Sequence, residues 1–322
     1  MRRFQLGLAL IALPVFACTL FLAGCGKDDK KPDNSNADNT NPSGSQQSGP
    51  AKLLEAKGGV LKGHVTLKEM PNTEELTKKL LAEIADKKDQ TAFCMSGIES
   101  EKTEQAYRIG ENKYLGNVFV WIQPEAGTLF KVDETQLAEA KKNPVVFRQP
   151  HCAFIPHCAI VFAEYHPDPK KPRDKKPTGQ IIRITNDAPN GHNTDYKAGP
   201  NNPSKNLTIP PGEERLIENL HADPKEMSLS CGIHKWMDAY VRLLDTPYYA
   251  ITSSDTLDKD KVKKEDAKFG TYEIKNLPIG KVRVFAWHER AGFLNSSGSG
   301  KEGDLVEIKE AGTEKNFEAK PK

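Results

Sequence analysis

Short stretches of alternating apolar and polar residues, punctuated by Gly, Pro and Asn, place this chain among the all-β proteins. Helical character is confined to a short amphipathic stretch near residue 80 and a briefer one ending before Pro144. About 265 residues follow a polar N-terminal region, enough for two sandwiches of ordinary size.

The elements follow in order. Gly59 to Leu67 alternates and reads as a strand. Asn72 then matches an N-cap, with Glu75 completing a capping-box pattern. Leu76, Leu80 and Ile84 recur every four residues, which predicts an amphipathic helix over 73–88. Leu115 to Ile122 reads as a buried strand, and Glu134 to Lys142 as a short helix. Further strands are predicted at Val145–Arg148, Cys158–Glu164, Gln180–Thr185, Glu213–Leu220, Met227–Ser230 and Tyr240–Leu244. Tyr249–Ser253, Thr271–Ile274, Lys281–His288 and Asp304–Ile308 complete the set. The loop His166 to Gly179 is rich in Pro and Lys and longer than an ordinary hairpin connection. It reads as a solvated insertion, or as a basic docking surface for an acidic partner.

The N-terminus predicts export. Arg2 and Arg3 precede an apolar stretch from Leu6 to Ala23, which ends in Leu22-Ala23-Gly24-Cys25. This resembles a bacterial lipobox, so residues 1–24 are expected to be a lipoprotein signal peptide and Cys25 the lipidated residue. The alternative is a transmembrane anchor, for which the stretch is borderline in length and interrupted by Pro14. The expected location is extracytoplasmic, lipid-anchored to the envelope at its periplasmic face, with Gly26 pointing to the outer membrane. Residues 25–56 are too polar to bury a core and read as a disordered tether. It would reach roughly 30 Å from the bilayer. Without Arg2 and Arg3 the chain carries 44 basic and 44 acidic residues, and nothing in it points to nucleic acid.

One constellation carries chemistry. Cys231, His234 and Met237 follow one another in a Cys-x2-His-x2-Met run, with His192-Asn193 upstream. Met is rare here, five in all including the first residue, so its place in the run is informative. Two imidazoles, one thiolate and a weak axial thioether make a type 1 (blue) copper site. Zinc fits less well, since it prefers Cys, His and carboxylates to thioether. A buried Cys and Met beside a structural His is the bland alternative.

The run Cys231-Gly-Ile-His234-Lys-Trp-Met237-Asp-Ala-Tyr-Val241, the box Asn186-Asp187…His192-Asn193 and the stretch Cys152-Ala-Phe154-Ile-Pro156-His157 resemble the cupredoxin-like proteins of planctomycete-type bacteria, often labelled methylamine-utilisation-like. The likeness continues through Pro247-Tyr-Tyr-Ala-Ile-Thr252 and Trp287-His288-Glu289. It implies a Greek-key cupredoxin sandwich with one copper on His192, Cys231, His234 and axial Met237. Asn193 would join the two ligand loops by hydrogen bonds, with Asn186, Trp236 and His157 around the ligands. The short His-x2-Met loop is similar to that of dinuclear copper centres. Their second Cys is replaced here by Met227, which implies a single copper.

Residues 58–67, 115–122 and 249–290 resemble, in series, the smaller prealbumin-like regulatory sandwich of carboxypeptidases. The expected organisation is residues 57–142 and 247–322 as the two parts of that sandwich, with a cupredoxin domain over 143–246 inserted between them. Two domains in tandem are the alternative. The resemblance retains Cys152 but has an aliphatic residue at the position of Cys158. It implies a Cys94–Cys152 disulfide and a buried free Cys158, with Cys94–Cys158 pairing as the alternative. His157 and His288 are expected to be structural.

No phosphate-binding loop, Gly-x-Ser-x-Gly or His-Glu-x-x-His is present, and a complete ligand set leaves no open metal position for substrate. The expected function is therefore non-enzymatic: a one-electron carrier working with a redox partner such as a cytochrome c. Envelope copper binding and delivery, or a non-metal cell-surface binding sandwich, are the alternatives.

Overall fold

The computed structural model describes residues 49–256, 264–265 and 268–321. The expected signal peptide, Cys25 and most of the expected tether lie outside these residues. The described end of the tether departs from expectation. Lys52–Leu54 is a strand, parallel to Thr128–Phe130, and Leu54 packs against a core. Leu53 and Leu54 are the first adjacent apolar residues after the polar run, and Leu54 supplies the apolar side chain that this strand buries.

The architecture is all-β, with sheets stacked as two sandwiches. In the first, a five-stranded sheet runs Lys205–Ile209, His192–Lys197, Met227–Ser230, Asp238–Leu244 and Cys158–Phe162. All neighbours are antiparallel except the last pair. It faces a three-stranded sheet of Glu214–Ile217, Ile182–Asn186 and Val145–Gln149. Phe147, Ile184, Val161, Met227 and Val241 belong to the core of this sandwich.

The second sandwich uses chain from both ends. Gly59–Leu67 pairs with Thr271–Leu277 and with the short strands at 313–314 and 317–319. Phe119–Pro124 pairs with Tyr249–Ile251 and with Gly280–His288, which also pairs with Asp304–Ile308. Gly59–Leu67 has none of its ladder partners in the first sandwich.

The joint between the sandwiches covers the second face of four strands. A strand points alternate side chains to opposite faces. Val120 and Ile122 enter the second core, while Phe119 and Trp121 enter a third cluster. On Gly280–His288, Val284 and Ala286 face the core while Phe285 and Trp287 join that third cluster. From the first sandwich come Cys158, Ile160 and Leu244, whose sequence neighbours Ala159, Val161 and Leu243 lie in the first core. Both faces of these strands are therefore covered by protein. Arg242 closes one side of the joint, its guanidinium 4.7 Å from the Trp121 ring centroid.

Among the described residues, four short α-helices stand beside the sheets. Helix α1 spans Thr73–Ala85, capped by the Asn72 side chain, which accepts from the Glu75 N–H. It ends three residues before the predicted limit. Helices α2 (Thr91–Met95) and α3 (Glu99–Lys102) were not predicted, and α4 covers Glu134–Lys142 as expected. The Lys-rich loop is tied back onto the body. Glu164–Tyr165 pairs with Lys176–Pro177, and Lys175 Nζ lies 2.6 Å from Asp245. No helix among the described residues is long and apolar enough to cross a membrane.

Candidate metal centre

The antiparallel ladder brings the ligand residues together. Met227–Ser230 and Asp238–Leu244 form a hairpin whose register pairs Ser230 with Asp238, leaving 231–237 as its loop. His192–Lys197 lies on the other side of Met227–Ser230, with Asp195 opposite Ser230. Continuing that register sets Thr194 opposite Cys231 and Asn193 opposite Gly232, so His192 falls level with the loop that carries His234. The loop is closed by its own backbone: Cys231 N–H donates to Met237 O (3.1 Å) and Met237 N–H to His234 O (2.9 Å).

His192 Nδ1 and His234 Nδ1 each lie 3.8 Å from Cys231 Sγ, and the three donor atoms all fall within 4.8 Å of one another. A metal about 2.3 Å from sulfur and about 2.0 Å from nitrogen, with bonds splayed near 120°, leaves its donors about 3.8 Å apart. The donor set thus fits a metal without rearrangement. All three side chains are buried. Met237 is buried with Cys231 in the same core, its backbone bonded to both Cys231 and His234.

Burial lowers both imidazoles to about 4, helped at His192 by the neighbouring His234 and at His234 by Lys87. Both rings are therefore neutral at pH 7. Gln90 Oε1 accepts from His234 Nε2–H at 2.6 Å, which leaves the Nδ1 lone pair turned to the sulfur. A metal-bound imidazole commonly donates its second N–H in this way.

The predicted neighbours divide. Asn193 ties the two loops. Its oxygen accepts from Gly232 N–H at 2.8 Å and lies 3.3 Å from Cys231 Sγ, while its amide donates to Asn206. Trp236 stands edge-on to His234 and donates its indole N–H to Cys152 O. Asn186 shapes the loop before His192, donating to Asn190 O and Ile209 O, and does not touch the ligands. His157 belongs elsewhere. Its Nδ1 bonds to Asp238 O and its Nε2 is paired with Glu289. Cys94 and Cys152 are disulfide-bonded, while Cys158 is free and buried.

Sequence reasoning missed the cover over His234. The Cys94 and Cys152 sulfurs lie within 4.8 Å of a His234 ring nitrogen. Gln90 therefore covers the Nε2 edge of the ring, and the disulfide that α2 carries through Cys94 stands beside it. The one available signal was Gln90 lying a helical turn before Cys94.

No family model and no curated protein matches the chain. Several solved structures are similar at a distance. A copper-containing nitrite reductase (NirK) from Thermus scotoductus SA-01 is 13% identical over 32% of this chain and 23% of its own, with a TM-score of 0.25. Amicyanin from Paracoccus versutus is 13% identical over 34% of this chain and 88% of its own, with a TM-score of 0.24. A reduced-state amicyanin variant is 12% identical over 38% of this chain and 99% of its own, with a TM-score of 0.24. The match spans under a quarter of the nitrite reductase. Likenesses this distant leave the site to be read from its own geometry.

Proposed function

We propose that this chain is an extracytoplasmic type 1 copper protein that carries single electrons at the cell envelope. The observation that carries the reading is the buried triangle of two neutral imidazoles and one free thiol, its donors already at metal-bridging separation. His192, Cys231 and His234 would hold copper, together with Met237 from the same loop. Bound copper supplies a one-electron couple.

The protein's own residues do the rest. The hairpin and the strand beside it hold sulfur and nitrogens in one arrangement for both oxidation states. Asn193 fixes the distance between the two ligand loops through Gly232. Gln90 fixes the tilt of His234, and Trp236 with the Cys94–Cys152 bridge keeps water from that ring. Cys25 would hold the chain to the bilayer, and residues 26–48 would give it reach toward a redox partner such as a cytochrome c. The sandwich of residues 143–246 would be inserted into the other, in keeping with the pairing of Gly59–Leu67 to Thr271–Leu277.

The thiol of Cys231 and the thioether of Met237 favour a second reading, copper capture and delivery, because soft sulfur donors select Cu(I). Voltammetry of the copper-loaded chain separates the two. Electron transfer requires one reversible one-electron wave; loss of copper on each reduction would contradict it and favour delivery.

A further inference from the structure

We propose that His157, Cys158 and Glu289 form a second metal site, for a divalent cation of the zinc class, at the joint between the two sandwiches. The ligand atoms of all three lie within 4.8 Å of one another. His157 and Cys158 come from the first sandwich, Glu289 from the end of a strand in the second. A cation held here would staple one sandwich to the other. Imidazole nitrogen, thiolate sulfur and carboxylate oxygen are the donors that zinc takes in proteins.

Three features point to a ligand rather than to an ion pair alone. His157 Nδ1 faces the Asp238 carbonyl oxygen at 3.1 Å. A carbonyl only accepts, so Nδ1 carries a proton, and Nε2, paired with the Glu289 carboxylate in the metal-free chain, is the nitrogen that would give up its proton and offer a lone pair to a cation. That second bond to a backbone carbonyl is the support that metal-bound histidines commonly have. Glu289 is the second feature. Its side chain is 1% exposed, yet Oε2 has no hydrogen-bond donor among the described residues, and Arg290 comes no nearer than 3.9 Å. A buried carboxylate oxygen without a partner is costly, and a cation would satisfy it. The third is access: a cleft of about 190 Å³ has Glu289 in its wall, its other charged residues being Glu83, Glu104 and Asp238 against Lys79, Lys235 and Arg290. Binding would release the Cys158 thiol proton, and any proton on His157 Nε2, to solvent.

His288 shows the contrast. Its Nε2–H donates to Ala106 O, and its Nδ1 accepts from the N–H groups of Arg290 and Ala291. Both nitrogens are spoken for, and this ring is structural.

Cobalt(II) titration of the full-length Cys231→Ser chain tests the site independently of the copper centre. With Cys18 and Cys25 also replaced by Ser, one equivalent should bring in a sulfur-to-cobalt charge-transfer band, for which Cys158 is then the one free thiol left. Adding Cys158→Ser should remove the band, and adding Glu289→Gln instead should weaken binding at least tenfold. Zinc(II) should raise the unfolding temperature of the Cys231→Ser chain and leave that of Cys158→Ser/Cys231→Ser unchanged. A Cys231→Ser chain with no thiolate–cobalt band and no zinc-dependent stabilisation would overturn the proposal. So would a band that persists without Cys158.

Discussion

Two buried clusters in this chain combine imidazole with a thiol, and they differ in what holds the donors apart. Around Cys231 the backbone does it. A closed loop and a strand set His192 and His234 each 3.8 Å from the sulfur, and no carboxylate intervenes. Around Cys158 a carboxylate is part of the cluster, and His157 has closed directly onto Glu289. Backbone-fixed neutral donors keep their spacing. Opposite charges collapse together unless something stands between them. The first cluster is preorganised by covalent structure, the second by electrostatics, and mutations should affect them differently.

The largest effect is expected at the cover of the first cluster. Replacing both Cys94 and Cys152 by Ser opens a loop of 58 residues, whose closure is worth about 4 kcal/mol. Chemical denaturation should show a loss of that order, with faster copper release to a chelator. An unchanged release rate would mean that α2 does not guard the centre. Next comes Glu289→Gln in the metal-free chain. It leaves His157 without its buried counter-charge and should cost about 3 kcal/mol, while the copper spectrum stays unaltered. Asn193→Ala should have the reverse profile. It should cost about 2 kcal/mol from the orphaned Gly232 N–H, with about a tenfold fall in copper affinity. If affinity survives, the tie between the loops is not what spaces the donors.

The smallest effect sharpens the contrast through pH. His192, His234 and His288 fall from 6.5 to about 4 through burial. Between those values the unfolded chain binds protons that the folded chain refuses, so metal-free stability drops as pH falls from 6.5 toward 4. Asp238, lifted by burial to about 6, opposes part of this, since there the folded state takes up its proton first. His157 is raised and Glu289 lowered by their mutual attraction, against burial. The stabilising part from His157 is complete below 6.5 and lost as pH rises through its folded value. The part from Glu289 is complete above 4.5 and lost as pH falls through its folded value. Denaturant midpoints across pH 4–8 should therefore peak near neutrality. Substituting Asn for His288 should flatten the acid side alone.

The ligand loop was legible in the sequence because its chemistry is local: Cys231, His234 and Met237 share one turn and are recognised by spacing. The strand that carries His192 was not. His192-Asn-Thr-Asp-Tyr-Lys197 has little apolar alternation, since polar residues fill most of its positions, His192 and Thr194 among them although both are buried. Its partner Lys205–Ile209 was missed for the same reason. Helices α2 and α3 are too short for a periodic pattern, so the cover over His234 and the role of Gln90 could not be read. Phe119, Trp121, Phe285 and Trp287 marked buried strands, but a sequence does not say that half their partners belong to another sandwich. His157 was expected near the copper ligands by its place beside Cys152. The strand that begins at Cys158 turns it to Glu289, whose distance along the chain hid the pairing.

The visible spectrum of the full chain with one equivalent of copper(II), beside that of Cys231→Ser, tests the central claim most directly. An intense thiolate-to-copper charge-transfer band in the native chain, absent from Cys231→Ser, is the result expected of the His192–Cys231–His234 centre. Copper bound at one equivalent without that band, or with a band indifferent to Cys231→Ser, would contradict it.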